Sequence, residues 1–153
     1  MECTKSRTTQ YDGKEGPRIG TAIFPSSIIY VGSTKNRGLG IFALRDIEAG
    51  ELIEVCPVLV LNGAQERENL NRTRLFDYYF AWGEHEEKTA IALGYGSLYN
   101  HSYRANAVHT NDFVANEIRI YAHRSIRKGE EITINYGGGP DCLDPVWFDV
   151  LEE

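Results

Sequence analysis

The chain has 153 residues, of which 42% are hydrophobic and 25% charged, with a formal net charge of −6. That length suits one domain with its own core. The acidic balance argues against a nucleic-acid-binding surface, which is normally basic, and favours a Lys/Arg-rich protein partner. No apolar run approaches the ~18–20 residues needed to cross a bilayer, so no membrane role is expected.

Residues 1–18 are polar, charged and contain Gly and Pro, and read as a flexible arm without the apolar stretch of a secretory signal. An intracellular protein with an ordered domain from about Ile19 is expected. "IIYVG" (28–32) and "LGIFAL" (39–44), separated by "STKNRG", read as strand, turn, strand. "GELIEVCPVLVLN" continues the β pattern, with Pro57 marking an edge, a bend or a strand start. The one helix predicted runs from about Gln65 to Phe76, where good helix formers place Leu70 near Leu75 and Phe76. Further on, "EIRIYAHRSI" and "EEITINYG" alternate like half-buried strands. In the tail, Asp144 before Pro145 reads as a short helix start.

"IFALRDIEAGELI" (41–53) and "IYAHRSIRKGEEI" (120–132) agree at seven of thirteen positions. Each reads as strand, glycine turn, strand, a hairpin-like device used twice. Cys3, Cys56 and Cys142 lie far apart with no C-x-x-C or C-x-C pair, so unpaired thiols and no zinc site are expected.

Several short motifs carry chemistry. Gly38 and Gly40 stand at G-x-G spacing before a strand, which fits either a tight turn or backbone close to a ligand. The third glycine of a dinucleotide fingerprint is missing. "YNHS" (99–102) reads as a satisfied polar turn or as a nucleophile constellation. Neighbours on a strand face opposite ways and no G-x-S-x-G elbow exists, which weakens the second reading. Tyr136 ends a strand at a run of three glycines, and Trp147 and Phe148 form an aromatic plug. The acidic run Glu84, Glu86, Glu87 reads as a solvated loop or as a landing for a basic peptide.

The order "RGLGIFA", "YNHSYRAN", "GEEITINYG", "PVWF" closely resembles the SET-domain protein lysine methyltransferases, over roughly Ile28 to Val150. It is most similar to minimal, zinc-free members, small viral ones among them. The resemblance implies a mainly β, β-clip fold of several small curved sheets, with knot-like C-terminal threading and one or two short helices. It divides the chain into an arm (1–18), a SET domain (19–140) and a C-terminal aromatic closing segment (141–153). It implies S-adenosylmethionine as cofactor, held by Arg37, Gly38, Leu39, Gly40, Asn100, His101, Tyr136 and Trp147. A lysine channel would be lined by Tyr78, Tyr99, His109, Ile134 and Phe148, with Tyr136 as the catalytic residue.

Departures refine this reading. Tyr103 stands where many members carry a zinc-binding Cys, and no C-x-C follows Tyr136, so no metal is expected. Ile134 carries no hydroxyl at a position the family links to the number of methyls added, which leaves room for more than one, with His109 as a candidate to fill it. A basic, lysine-rich protein such as a histone is the implied substrate, and the resemblance leaves a homodimer open. The alternative is a SET fold that binds peptide or cofactor without turnover. A zinc-dependent or hydrolytic enzyme lacks a ligand set or elbow.

Overall fold

A computed structural model describes residues 22–151; the expected arm and the start of the domain near Ile19 lie outside them. Among the described residues, the strands are β1 (Ile29–Ser33), β2 (Leu39–Ala43), β3 (Leu52–Leu61), β4 (Tyr79–Trp82), β5 (Lys88–Ala92), β6 (Asn100–His101), β7 (Ala107–Asp112), β8 (Glu117–Ala122) and β9 (Glu131–Ile134). One helix, α1 (Ala64–Asn71), and two single-turn 3-10 segments complete the set. The strands form two sheets, in the orders β1-β2-β9-β6 and β4-β5-β3-β8-β7. The mainly β architecture expected from the alternating pattern is therefore present.

The turn between β1 and β2 closes on Thr34, whose backbone N–H and hydroxyl both donate to the Gly38 carbonyl, at 2.7 and 3.0 Å. Gly38 sits at φ +75°, a region that favours glycine. Isoleucines fill the core: Ile41, Ile47, Ile118, Ile120, Ile126, Ile132 and Ile134 are all sealed from solvent. Ile118 with Ile120 and Ile132 with Ile134 show the period of two that the sequence displays.

The two echoing segments behave differently from the expected pair of local hairpins. β2 pairs with β9, and β3 pairs with β8, so each copy finds its partner strands in the other copy. The bonds are reciprocal. Ile47 N–H donates to Ile126 O and Ile126 N–H to Ile47 O, at 2.8 and 2.9 Å. Gly50 N–H donates to Ala122 O and Gly129 N–H to Ala43 O, while Arg45–Glu51 is mirrored by Arg124–Glu130. Local turn signals report that a strand ends, not where its partner lies, and here two turns clasp each other.

Four further expectations change. α1 stops at Asn71, and a 3-10 turn follows at Arg74–Tyr78. Thr73 interrupts the helix, its hydroxyl donating to Leu70 O and accepting from Leu75 N–H, a side-chain alternative to the helical ladder. Pro57 lies inside β3, where pairing with β8 gives way to pairing with β5, so the missing N–H falls at the hand-off. The tail after Asp144 forms no helix: Val146 N–H reaches the Tyr103 hydroxyl, and Trp147 and Phe148 pack on the rings of Tyr136 and His101. Cys142 is disulfide-bonded, which corrects the expectation of unpaired thiols drawn from the lack of a C-x-x-C or C-x-C pair. Cys56 is free and buried.

The "YNHS" question is answered at β6, which runs parallel to β9 with Asn100 beside Thr133 and His101 beside Ile134. Ser102 N–H extends this pairing to Ile134 O at 3.1 Å. Asn106, only 2% exposed, locks the same strand from the other side. Its amide donates to Glu131 O (2.7 Å) and Glu130 Oε1 (3.0 Å), and its oxygen accepts from Thr133 N–H (2.9 Å).

Candidate active site

Tyr136 follows β9, and two bonds fix it. Its backbone N–H donates to Nδ1 of buried His101 at 3.1 Å, and its hydroxyl donates to the Tyr99 carbonyl at 2.7 Å. Accepting at Nδ1 places the proton of a neutral His101 on Nε2. Burial, aided by neighbouring Tyr78 and Asp77 and opposed by Arg37, pushes the Tyr136 phenol up to about 12. At neutral pH this residue is a hydroxyl, never a phenolate.

Tyr136 stands between two cavities. The first, about 440 Å³, is lined by Tyr78, Tyr99, His109, Ile134 and Tyr136, with Tyr79 and Phe80 beside them and Asp77, Glu86 and Asp144 among its polar lining. The second, about 410 Å³, is lined by Arg37, Gly38, Leu39, Asn100, Tyr136, Trp147 and Phe148. Asp77, Tyr78, Ser97, Tyr136 and Trp147 belong to both walls. Two neighbouring spaces that share a wall can bring two reactants to a single point.

The expected site residues sort between these spaces with three differences. Phe148, expected on the lysine channel, lines the second cavity, because the extended tail carries it past Tyr136 towards His101. Gly40 and His101 are not among the residues that line the second cavity, although their chain neighbours Leu39 and Asn100 are. At Gly40 a Cβ would come within 2.6 Å of Glu131 Oε1 and 2.9 Å of Asn100 Nδ2, so only bare backbone fits. Arg37 is already engaged, donating to His101 O at 3.2 Å and to Glu131 at 2.5 Å. Trp147, on the wall of both cavities, is held by its indole N–H donating to Asp77 Oδ1 at 3.2 Å.

Glu54 is a site residue that the sequence reading missed. It is 6% exposed, accepts from the Tyr99 hydroxyl at 2.8 Å and from Tyr95 N–H at 3.0 Å, and so fixes the residue whose carbonyl holds Tyr136. Burial raises its pKa, and burial first, then Glu54, pushes the Tyr99 phenol far up. An acid at the same strand parity as Cys56 was the available signal.

His109 lies on β7 with Nδ1 sealed and unbonded among the described residues, its ring edge-on to Phe80 at 5.3 Å. Desolvation lowers its pKa from 6.5 to about 4. The first cavity therefore carries no histidine charge at neutral pH. Between pH 4 and 6.5 the unfolded chain binds more protons at this site than the folded one, so the contribution of His109 to stability falls as pH drops through that window. Thermal melts of wild type against His109→Phe check this: the variant is expected to show the shallower fall from pH 6.5 to 4.

Among the described residues no group of three His, Cys, Asp or Glu side chains is placed to hold a metal ion, and no helix is long and apolar enough to cross a membrane. The fold is a pair of clasped β-turns that sets two cavities side by side with Tyr136 on the wall of each. The SET-domain family model matches residues 38–137, and the chain belongs to this family, as a protein lysine methyltransferase. It is 34% identical over 123 residues to the H3 lysine-37-specific histone-lysine N-methyltransferase of Schizosaccharomyces pombe, covering 80% of this chain and 78% of that one. Among solved structures, a candidate histone methyltransferase of Plasmodium falciparum is 35% identical with a TM-score of 0.58, covering 76% of this chain and 97% of that chain. The methyltransferase domain of human histone-lysine N-methyltransferase SETMAR shares the fold with a TM-score of 0.61 at 21% identity, covering 71% of this chain and 44% of that one. Methyltransferases of the SET family generally use S-adenosylmethionine as methyl donor.

Proposed function

We propose that the protein methylates a lysine on a histone or histone-like basic tail, with S-adenosylmethionine in the cavity of Arg37 and Asn100 and the lysine in the cavity of Tyr78 and His109. The observation that carries this reading is the shared wall: both cavities open onto Tyr136. Gly38 and Leu39 would offer backbone, Asn100 its amide, and Trp147 and Phe148 aromatic faces to the cofactor. When bound, that cofactor supplies an electrophilic methyl on a cationic sulfur.

The protein's own task is to present a neutral, aligned amine. A free lysine titrates near ~10.4, so presenting it neutral at pH ~7.5 costs about 4 kcal/mol. The aromatic wall of Tyr78, Tyr79, Phe80 and Tyr99 disfavours an ammonium by desolvation. The Tyr136 hydroxyl, fixed on the Tyr99 carbonyl, orients the reacting atoms, and water carries the proton away. Asp77, Glu86 and Asp144 give the entrance an acidic lining suited to a basic tail. The fission-yeast relative is named for a lysine of histone H3, which supports a histone substrate and an intracellular, nuclear place of action. The intact Tyr136 anchorage favours an enzyme over a binding module. The test is transfer of labelled methyl from S-adenosylmethionine to core histones, with the modified residue located by mass spectrometry; label on a lysine side chain is expected.

A further inference from the structure

The carboxylate of Glu131 touches neither cavity, yet two segments that build the second cavity, the β1–β2 turn and β6, meet on it. Glu131 opens β9, with its backbone opposite Phe42 of β2 and its carbonyl accepting from Asn106. Its side chain is 12% exposed. Oε1 accepts from the Asn100 amide of β6 at 2.8 Å, and Oε2 accepts from Arg37 of the β1–β2 turn at 2.5 Å. The same Asn100 amide donates to Leu39 O at 3.0 Å, and the same guanidinium donates to His101 O at 3.2 Å.

These bonds form closed loops. Arg37, Leu39 and Asn100 line the second cavity, and each connects through one or two bonds to Glu131. Gly40 completes the arrangement, because any side chain there would occupy the space of Glu131 Oε1 and Asn100 Nδ2. A guanidinium 15% exposed, with its carboxylate removed, would have to leave the wall to find another partner or water.

We propose that Glu131 is a positioning residue for the cofactor: it fixes the shape of the second cavity by holding Arg37 and Asn100, without touching cofactor or lysine. This rests on the reading of that cavity as the S-adenosylmethionine site. Glu131 acts on binding, whereas Tyr136, anchored separately on Tyr99 and His101, governs the transfer step.

The test is calorimetric titration of wild type, Glu131→Ala and Glu131→Gln with S-adenosylhomocysteine, together with kcat at saturating methyl donor. The Ala variant is expected to weaken binding at least tenfold with kcat within about threefold of wild type. The isosteric Gln variant keeps an acceptor for Asn100 and loses the charge on Arg37, so an intermediate loss of affinity is expected. The Gln variant also covers an Ala variant that fails to fold. A folded Glu131→Gln or Glu131→Ala protein with wild-type affinity overturns the inference, as does a loss confined to kcat. Wild type that binds no S-adenosylhomocysteine overturns the cofactor reading itself, which separates the two failures.

Discussion

Tyr136→Phe is expected to lower methyl transfer by roughly 10²-fold, the scale of losing one group that holds reacting atoms in line. The hydroxyl, its proton given to Tyr99 O, keeps its lone pairs to accept from the amine. The substitution deletes only the hydroxyl that donates to Tyr99 O. The backbone bond to His101 Nδ1 survives, as does the ring's packing against Trp147 and Phe148. S-adenosylhomocysteine affinity is therefore expected to stay within about threefold of wild type, and the loss of one neutral hydrogen bond to cost about 1 kcal/mol of stability. Because burial pushes the phenol up to about 12, the rate should show no ionisation of this residue at neutral pH. Initial rates and a thermal melt on the same preparations check each part, and an unchanged rate would remove Tyr136 from its assigned role.

Asn106→Leu carries the largest expected effect on stability. The side chain is 2% exposed, and two of its bonds secure β9 from the flank opposite β6, while a third holds the Glu130 carboxylate just before the strand. Leucine would leave the Thr133 N–H and the Glu131 carbonyl without these partners in a sealed place, at ~1–3 kcal/mol each. A loss of about 3–4 kcal/mol, or roughly 10 °C in Tm, is expected. Exposed Asn71 at the end of α1 is the control, where Ala should change stability by at most about 0.5 kcal/mol. A melt of Asn106→Leu within about 2 °C of wild type would contradict the locking of β9 by Asn106.

The motifs that define the site were legible because each carries its own punctuation. Gly38 and Gly40 mark the turn, "YNHS" stands out as polar residues leading into an apolar run, and Tyr136 sits where a strand gives way to glycine. Strand positions followed from alternation, as in Ile118 with Ile120 and Ile132 with Ile134. Pairing was not legible: the echo at 41–53 and 120–132 is plain in the sequence, but that its halves exchange partners depends on contacts some eighty residues apart. Glu54 and Glu131 were missed for a related reason. Both look like ordinary acids beside apolar residues, and their roles appear only when Tyr99, Asn100 and Arg37 arrive from distant segments. Phe148 was assigned to the neighbouring cavity because order along the chain does not say on which side of Tyr136 an extended tail will pass.

The central claim is that a methyl group crosses from the second cavity to a lysine in the first. Incubating the purified protein with methyl-labelled S-adenosylmethionine and core histones, then mapping the label by fragmentation, tests it most directly. Label on a lysine side chain of a histone is the predicted result. Measurable S-adenosylhomocysteine binding with no label on any histone lysine would contradict the claim and leave a SET fold that binds without turnover.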